Sequence, residues 1–331
     1  MKQFKDGKLP VCRFESMLNE DQLRVYDFVK STLDSNTPMR HFVSGVAKYV
    51  RETKRKDVAI CAPTGMAASA ISGQTLHRLL QLPVQHGNDL KYTRLSDTVL
   101  NILRLALKQT VILIIDEISM VSSLMLMFIH LRLSEIFNTF EEENAFFGNL
   151  HIMVFGDLLQ LPPVDQNPPY ESLSDGERVK HFGSMADYNL WKNLFTYDEL
   201  LINMRQKSDP SFCELLANVR LGRCTKADVK KLLERKLEFK TINSDARTKE
   251  LAQHLLDNPD KPVCLLPKKS MCKRLNDAVL SNYRITETRL QTHCLPFRIP
   301  ICLVMLTQIC NASSVTSRYD VLYRVQQMKQ L

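Results

Sequence analysis

Residues 111–117, VILIIDE, constrain the fold of this chain more than any other stretch. Val111 to Ile115 are all apolar and mostly β-branched, the composition of a strand buried on both faces. The run is too short for a buried helix. It stops in two carboxylates, which cannot follow it into a core. HFVSG (41–45), VAICAPTG (58–65) and HIMVFGD (151–157) are runs of the same kind. Helical patterns lie between them. Residues 19–35 place Leu23, Tyr26, Val29, Lys30 and Leu33 along one side; VAKYVRETKRKD (46–57) reads as helical; LHRLLQL (76–82) stops at Pro83. Residues 98–109 are helical, and SSLMLMFIHLRLSEIF (122–137) is a long helix with Ser122 or Ser123 as its N-cap. Apolar strands alternating with helices predict an α/β domain built on a parallel sheet.

Residues 164–189, rich in Pro, Asp and Ser, read as a long loop. A second unit begins near Leu200. It is predicted to hold helices at 211–222 and 226–236, a strand at PVCLLP (262–267) and a helix through KRLNDAVLSNY (273–283). No element is assigned beyond Tyr283. All ten glycines lie at or before Gly222, and tight turns and phosphate cradles depend on glycine.

The charge balance narrows the function. Of 331 residues, 44 are Lys or Arg and 36 Asp or Glu, a formal charge of +8. A surplus of this size points to an anionic partner, nucleic acid first. Hydrophobic residues at 44% and charged residues at 24% exclude wholesale disorder and a multi-span membrane protein. The nine cysteines form no C-x-x-C pair, so they read as reduced thiols of a nuclear or cytosolic protein. The first residues contain no apolar secretory core, and IPICLVMLTQIC (299–310) is too short to span a bilayer.

Four segments carry chemistry. In IIDEIS, a buried strand delivers Asp116 and Glu117 to its C-terminal end, where α/β sheets bind ligands. An Asp there can hold Mg²⁺, and the adjacent Glu can activate a water. Alone, the pair is equally the signature of a solvated strand end. In VFGDLLQLPPV, a second strand ends in Gly156-Asp157, and Gln160 follows one turn later. Its amide both donates and accepts, as a phosphate sensor must; a strand–turn stiffened by Pro162-Pro163 is the bland reading. In CAPTGMAASAISGQTLH, Thr64 and Gly65 sit just beyond a strand, and exposed hydroxyls, backbone N–H groups and His77 could grip a nucleic-acid backbone. Turn formation and helix capping explain Thr64 and His77 as well. In LLINMRQKSDPSF, Arg205 falls near the junction of the two units, where an Arg could reach transferred phosphate or simply form an ion pair.

Together, in this order, the segments resemble the Pif-one-type DNA helicases, including the helicase part of Helitron transposons. LNEDQ, APTGMAA with GQTLH, IIDEISM, GDLLQLPPV, and NMRQ followed by Leu216 and Arg220 carry the resemblance, from about Leu18 to Tyr283. It implies a RecA-like P-loop NTPase-type first domain at 18–199 after an N-terminal segment 1–17. A partial second RecA-like domain follows at 200–283, then an unassigned tail, 284–331. It implies ATP and Mg²⁺ as cofactors. Gln22 would read adenine, Asp116 hold Mg²⁺, and Gly156 and Asp157 line the nucleotide. Glu117 would activate water, Gln160 sense the γ-phosphate, and Arg205 act as the arginine finger. Pro63, Thr64, Gly65, Thr75 and His77 would contact DNA, single-stranded or duplex with a 5′ tail. The family unwinds DNA 5′ to 3′ in repair, recombination and telomere maintenance, so the resemblance implies a nuclear or mitochondrial protein with no membrane association.

One motif of that family is missing. G-x-x-x-x-G-K-[ST] should follow the HFVSG strand, but Gly45 runs directly into VAKYVRE. The one Gly-Lys pair, Gly7-Lys8, precedes Leu9 and follows no strand. The twelve residues Val46 to Asp57 are about the minimum for a parallel crossover, so the fold can close over the gap. The chemistry suffers more. Each charge-assisted hydrogen bond of the cradle is worth ~1.5–3 kcal/mol, so losing two weakens ATP binding by on the order of a hundredfold. No family pattern is matched after Tyr283 either. The expectations are therefore an ATP-dependent helicase impaired in its motor, or an ATPase-dead remnant that binds single-stranded DNA. An unrelated nucleotide hydrolase would leave APTG, GQTLH and NMRQ unexplained.

Overall fold

The computed structural model describes residues 18–33, 37–44, 58–83, 91–182, 189–204, 208–258 and 264–282. The chain divides into two compact units, Met1–Arg205 and Gln206–Leu331.

The first unit is built on six parallel strands: β1 (Arg40–Ser44), β2 (Val58–Ala62), β3 (Gln74–Thr75), β4 (Ile112–Ile115), β5 (His151–Gly156) and β6 (Thr196–Glu199), in the spatial order β3-β2-β4-β5-β1-β6. The helices between them are α1 (Glu20–Leu33), α2 (Gly65–Ala70), α3 (Leu76–Leu80), α4 (Asp97–Leu107), α5 (Ser123–Phe137), α6 (Asp175–Phe182) and α7 (Leu190–Leu194). Alternate residues of the central strands feed two separate cores, as the period of two requires. Phe42, Leu113, Ile115, Ile152 and Val154 pack with α3, α4 and α5 on one face. Val43, Ile112, Ile114, Met153 and Phe155 pack against Val25 and Val29 of α1 on the other. Ile115 is fully buried; truncating such a side chain to Ala costs about 2–5 kcal/mol.

Several expectations change. The buried stripe of α1 is Asp21, Val25 and Val29, whereas Leu23 and Leu33 are exposed. An acidic residue takes an inward position because the backbone N–H groups of Leu201 and Ile202 donate to it there. Ser122, not Ser123, caps α5: its side chain accepts from the Met125 N–H. The loop expected at 164–189 contains α6. Ser174 and Glu177 start that helix reciprocally, each side chain accepting from the other's backbone N–H. The helix expected at 46–57, and Gly45, lie outside the described residues.

The described part of the second unit is helical: α8 (Pro210–Leu221), α9 (Lys226–Glu234), α10 (Ser244–Asp257) and α11 (Lys269–Asn282). Helix α10 stands where the sequence predicts no element. Residues 264–266 of the expected strand form no strand. They are apolar because Cys264 and Leu266 are buried among Leu251, Ala252, Cys272, Leu275 and Val279 of α10 and α11. Burial by helices leaves the same sequence signal as burial in a sheet. Nothing beyond Asn282 is among the described residues.

Candidate functional site

Because every strand is parallel, all six C-terminal ends emerge at one edge of the sheet. The register fixes which residues become neighbours there. Ser44 aligns with Gly156 and with Glu199, Ile115 with Val154 and with Cys61, and Ala62 with Thr75. Pro63 follows Ala62, Asp116 follows Ile115 and Asp157 follows Gly156 at this edge.

The turn after β4 is closely determined. The Asp116 N–H donates to the Cys61 carbonyl at 2.9 Å, which extends the ladder by one residue. The Asp116 carboxylate then accepts the Glu117 N–H at 3.0 Å. Glu117 adopts a left-handed backbone, φ 56° and ψ 47°, a conformation costly for a residue with a Cβ and found where a site over-determines it. A short 3₁₀ turn, Ile118–Met120, anchors the far side, with Ile118 and Ser119 buried. Asp116 and Glu117 are half-buried: placed in the core margin, still reachable by ligand.

Gly156 packs against this turn. A Cβ there would lie 2.9 Å from the Ile118 backbone nitrogen, and its φ of +150° disfavours any side chain. Beyond it, the Asp157 carboxylate accepts the Leu159 N–H at 3.0 Å and its carbonyl accepts the Gln160 N–H at 2.9 Å. The resulting turn leaves Gln160 exposed.

At the β2–β3 end of the edge, Thr64 caps α2 by accepting the Ala67 N–H, and Thr75 caps α3 by accepting the Arg78 N–H. Pro63 and His77 are half-buried, and burial lowers the pKa of His77. Gly65 has nothing within 4 Å of an added Cβ, so packing does not explain it. Gly73 is different: its Cβ would meet the Ile60 carbonyl oxygen at 2.6 Å.

Gln22 forms a reciprocal cap with Asn19. Its side-chain oxygen accepts the Asn19 N–H at 3.1 Å, and Asn19 accepts the Gln22 N–H at 2.9 Å. The sequence reading missed its neighbour Asp21. That carboxylate accepts the N–H groups of Leu201 (2.7 Å) and Ile202 (2.9 Å) and pairs with Arg24. These bonds, the Ile202 N–H first, hold its pKa below the usual carboxylate value. Arg24 also binds Asp198 and the Glu199 carbonyl. So α1 is tied to the chain leaving β6. No spacing in the sequence links positions 21 and 202; only the fold does. Arg205 itself lies outside the described residues.

The Asp116 carboxylate suits a magnesium ion held mainly by phosphate oxygens and water, which needs only one or two protein carboxylates. Among the described residues no cluster of three His, Cys, Asp or Glu forms an all-protein metal cage.

The profile of the family described as PIF1-like helicase matches residues 17–230. The chain belongs to the PIF1-like helicase family. Among curated relatives it is 33% identical over 182 residues to "ATP-dependent DNA helicase PIF1" of Candida albicans, covering 54% of this chain and 19% of that protein. It is 27% identical over 251 residues to "ATP-dependent DNA helicase Pif1" of Bdellovibrio bacteriovorus, covering 75% of this chain and 48% of that protein. The chain therefore spans half or less of these PIF1-like relatives. Among solved structures, a Bacteroides Pif1 helicase in complex with ADP-AlF3 and single-stranded DNA superposes with a TM-score of 0.56 at 24% identity, covering 82% of this chain and 58% of that one. A Pif1 structure describing DNA unwinding at forked duplex DNA by two coordinating helicases matches with a TM-score of 0.51 at 26% identity, covering 73% and 58%. The fold is thus that of the RecA-like Pif1 helicases. Among the described residues no helix is long and apolar enough to cross a membrane.

Proposed function

We propose that this chain is a DNA-binding member of the PIF1-like family whose hydrolytic carboxylates are kept and whose phosphate cradle is absent. The ancestral activity is ATP-dependent, Mg²⁺-supported 5′-to-3′ unwinding of DNA, in repair, recombination and telomere maintenance, in the nucleus or mitochondrion. The observation that carries the family activity is the turn of Asp116 and Glu117 locked by Gly156 at the C-terminal sheet edge. When bound, ATP with its magnesium ion would supply the phosphoryl chemistry. Asp116 would hold the ion, Glu117 orient and deprotonate water, and Gln160 meet the terminal phosphate from the turn after β5. Arg205, the last residue of the first unit, would serve as the arginine finger.

The absence of Gly-Lys-Ser/Thr from the sequence supports slight ATP turnover, since that Lys neutralises the transferred group. DNA contact does not need it. Thr64, Gly65, Thr75 and His77 end or follow strands at the same edge, and relatives are named or titled for DNA work. Fluorescence anisotropy of a labelled 30-mer of thymidylate, titrated against salt, tests the binding. The expected result is micromolar or tighter affinity that falls steeply with salt; no binding at low salt would overturn the reading. An active motor is the second reading. Retention of Glu117 and Gln160 favours it, because hydrolysis needs them and DNA binding does not.

A further inference from the structure

The charge of this protein is not spread evenly. Met1–Arg205 holds 22 Lys+Arg against 24 Asp+Glu, and Gln206–Leu331 holds 22 against 12. The basic surplus therefore belongs entirely to the second unit, whereas the candidate site lies on the first. This matters for how DNA is held. Pro63, Thr64, Gly65 and Thr75 carry no formal charge, both hydroxyls cap helices, and burial lowers the pKa of His77. Arg78 is the one Lys or Arg in residues 61–83. Salt-dependent binding arises when lysine and arginine displace condensed counterions from phosphates, and this stretch supplies little of that.

Helix α9 has the complementary arrangement. Its acid Asp228 is turned inward and buried. There it accepts the Thr225 N–H and hydroxyl and the Asn218 amide. Leu232, one turn on, is buried against Leu215. At 100° per residue, Lys226 and Lys230 fall on the opposite, outward face. Both are exposed, as is Arg223 just before the helix. Among the described residues none of the three forms an ion pair. Lys231 differs, since its charge helps to lower the pKa of Asp209 and Asp228. The other acid of the helix, Glu234, is exposed one turn beyond Lys230. Lys226 stands in the first turn, where a cation opposes the helix dipole, and four residues from a second cation, so helix stability does not account for it.

We propose that Arg223, Lys226 and Lys230 form a phosphate-binding surface for DNA, which supplies much of the protein's salt-dependent affinity. The proposal rests on DNA being the partner, as read above. Two ammonium groups one helical turn (~5.4 Å) apart can engage successive phosphates of one strand as point charges.

The test compares the full chain with Lys226→Gln/Lys230→Gln and Lys226→Glu/Lys230→Glu, using the labelled thymidylate 30-mer over a range of salt. Gln keeps helix propensity, so that pair is expected to fold like the parent by circular dichroism. Its salt slope should fall by about 1.4, two contacts at ~0.7 each on single strands, with about tenfold weaker binding at low salt. The Glu pair should bind more weakly still. A parent chain that does not bind DNA would defeat the underlying reading. A parent that binds with a steep slope, while the Gln pair keeps both affinity and slope, would overturn this inference alone. Weaker binding by the Gln pair with an unchanged slope would also overturn it, since that marks a structural effect.

Discussion

Gly156 sits so close to Ile118 that a single methyl group on it would lie 2.9 Å from the Ile118 backbone nitrogen. The end of β5 is thereby packed against the turn that forces Glu117 into a left-handed backbone. Two candidate site residues that follow separate strands, Glu117 as the water-activating residue and Asp157 as a nucleotide-lining one, flank this contact.

Gly156→Ala should therefore act on stability and site together. A side chain at φ +150° is strained, at about 1–3 kcal/mol, and the clash adds to it. Urea denaturation should show a loss of about 2 kcal/mol or more. An unchanged midpoint would mean that the two strand ends separate easily and that the contact positions nothing.

Much of this edge was legible because its strands are buried on both faces. VILIIDE and HIMVFGD are apolar at each position that the two cores fill, so strand and carboxylate follow from the same run of letters. β6 was not legible. Its residues, Thr196 to Glu199, are half-buried or exposed at the sheet margin, and their place is set by pairing with β1, not by hydrophobicity. α6 was hidden in a Pro- and Ser-rich stretch, although Ser174 and Glu177 carry the S-x-x-E spacing of a helix start. Asp21 has no local signal at all, since its partners are the N–H groups of Leu201 and Ile202.

A second prediction concerns the buried pair on α5. Arg132 and Glu135 meet at 2.5 Å, with side chains 1% and 6% exposed. Glu135 also accepts the Tyr92 hydroxyl at 2.6 Å and the Leu95 N–H at 2.8 Å, and Arg132 donates to the Thr93 carbonyl. The pair thus clamps residues 92–95 onto α5. Arg132→Met strands a buried carboxylate and should cost about 3–5 kcal/mol. Adding Glu135→Gln should recover part of that loss. Urea denaturation of the four members of this cycle gives the coupling, and additive losses would contradict the clamp.

Stability should also fall in mild acid. Burial, helped by the charge of Arg40, pushes the His130 pKa down to about 4, and its Nδ1 accepts the Phe147 N–H at 3.0 Å. The unfolded chain takes up this proton below about 6.5, and the folded chain not until about 4. The unfolded state thus binds more protons between those values, and stability drops as pH falls through them. His41, His77 and His151 shift the same way, so His130→Gln should flatten the profile without abolishing it. Melting temperatures at pH 7.5 and 5 for both proteins decide this. A parallel fall in the two would remove His130 from the explanation.

Gly65→Ala separates fold from DNA contact. An added Cβ there meets no atom within 4 Å, and Ala in a helix start is stabilising by up to ~1 kcal/mol. The melting temperature should hold or rise. DNA affinity should fall by about threefold to tenfold, under ~1.4 kcal/mol, if a strand approaches the backbone at this position. Unaltered affinity in anisotropy would place the DNA elsewhere.

The most direct measurement is ATP hydrolysis by the purified chain, with and without single-stranded DNA, beside Glu117→Gln. Turnover indistinguishable from that control is expected, in a chain that still binds DNA. DNA-stimulated turnover that Glu117→Gln abolishes would contradict it, because other residues would then be cradling the phosphates that Gly-Lys-Ser/Thr holds elsewhere in the family.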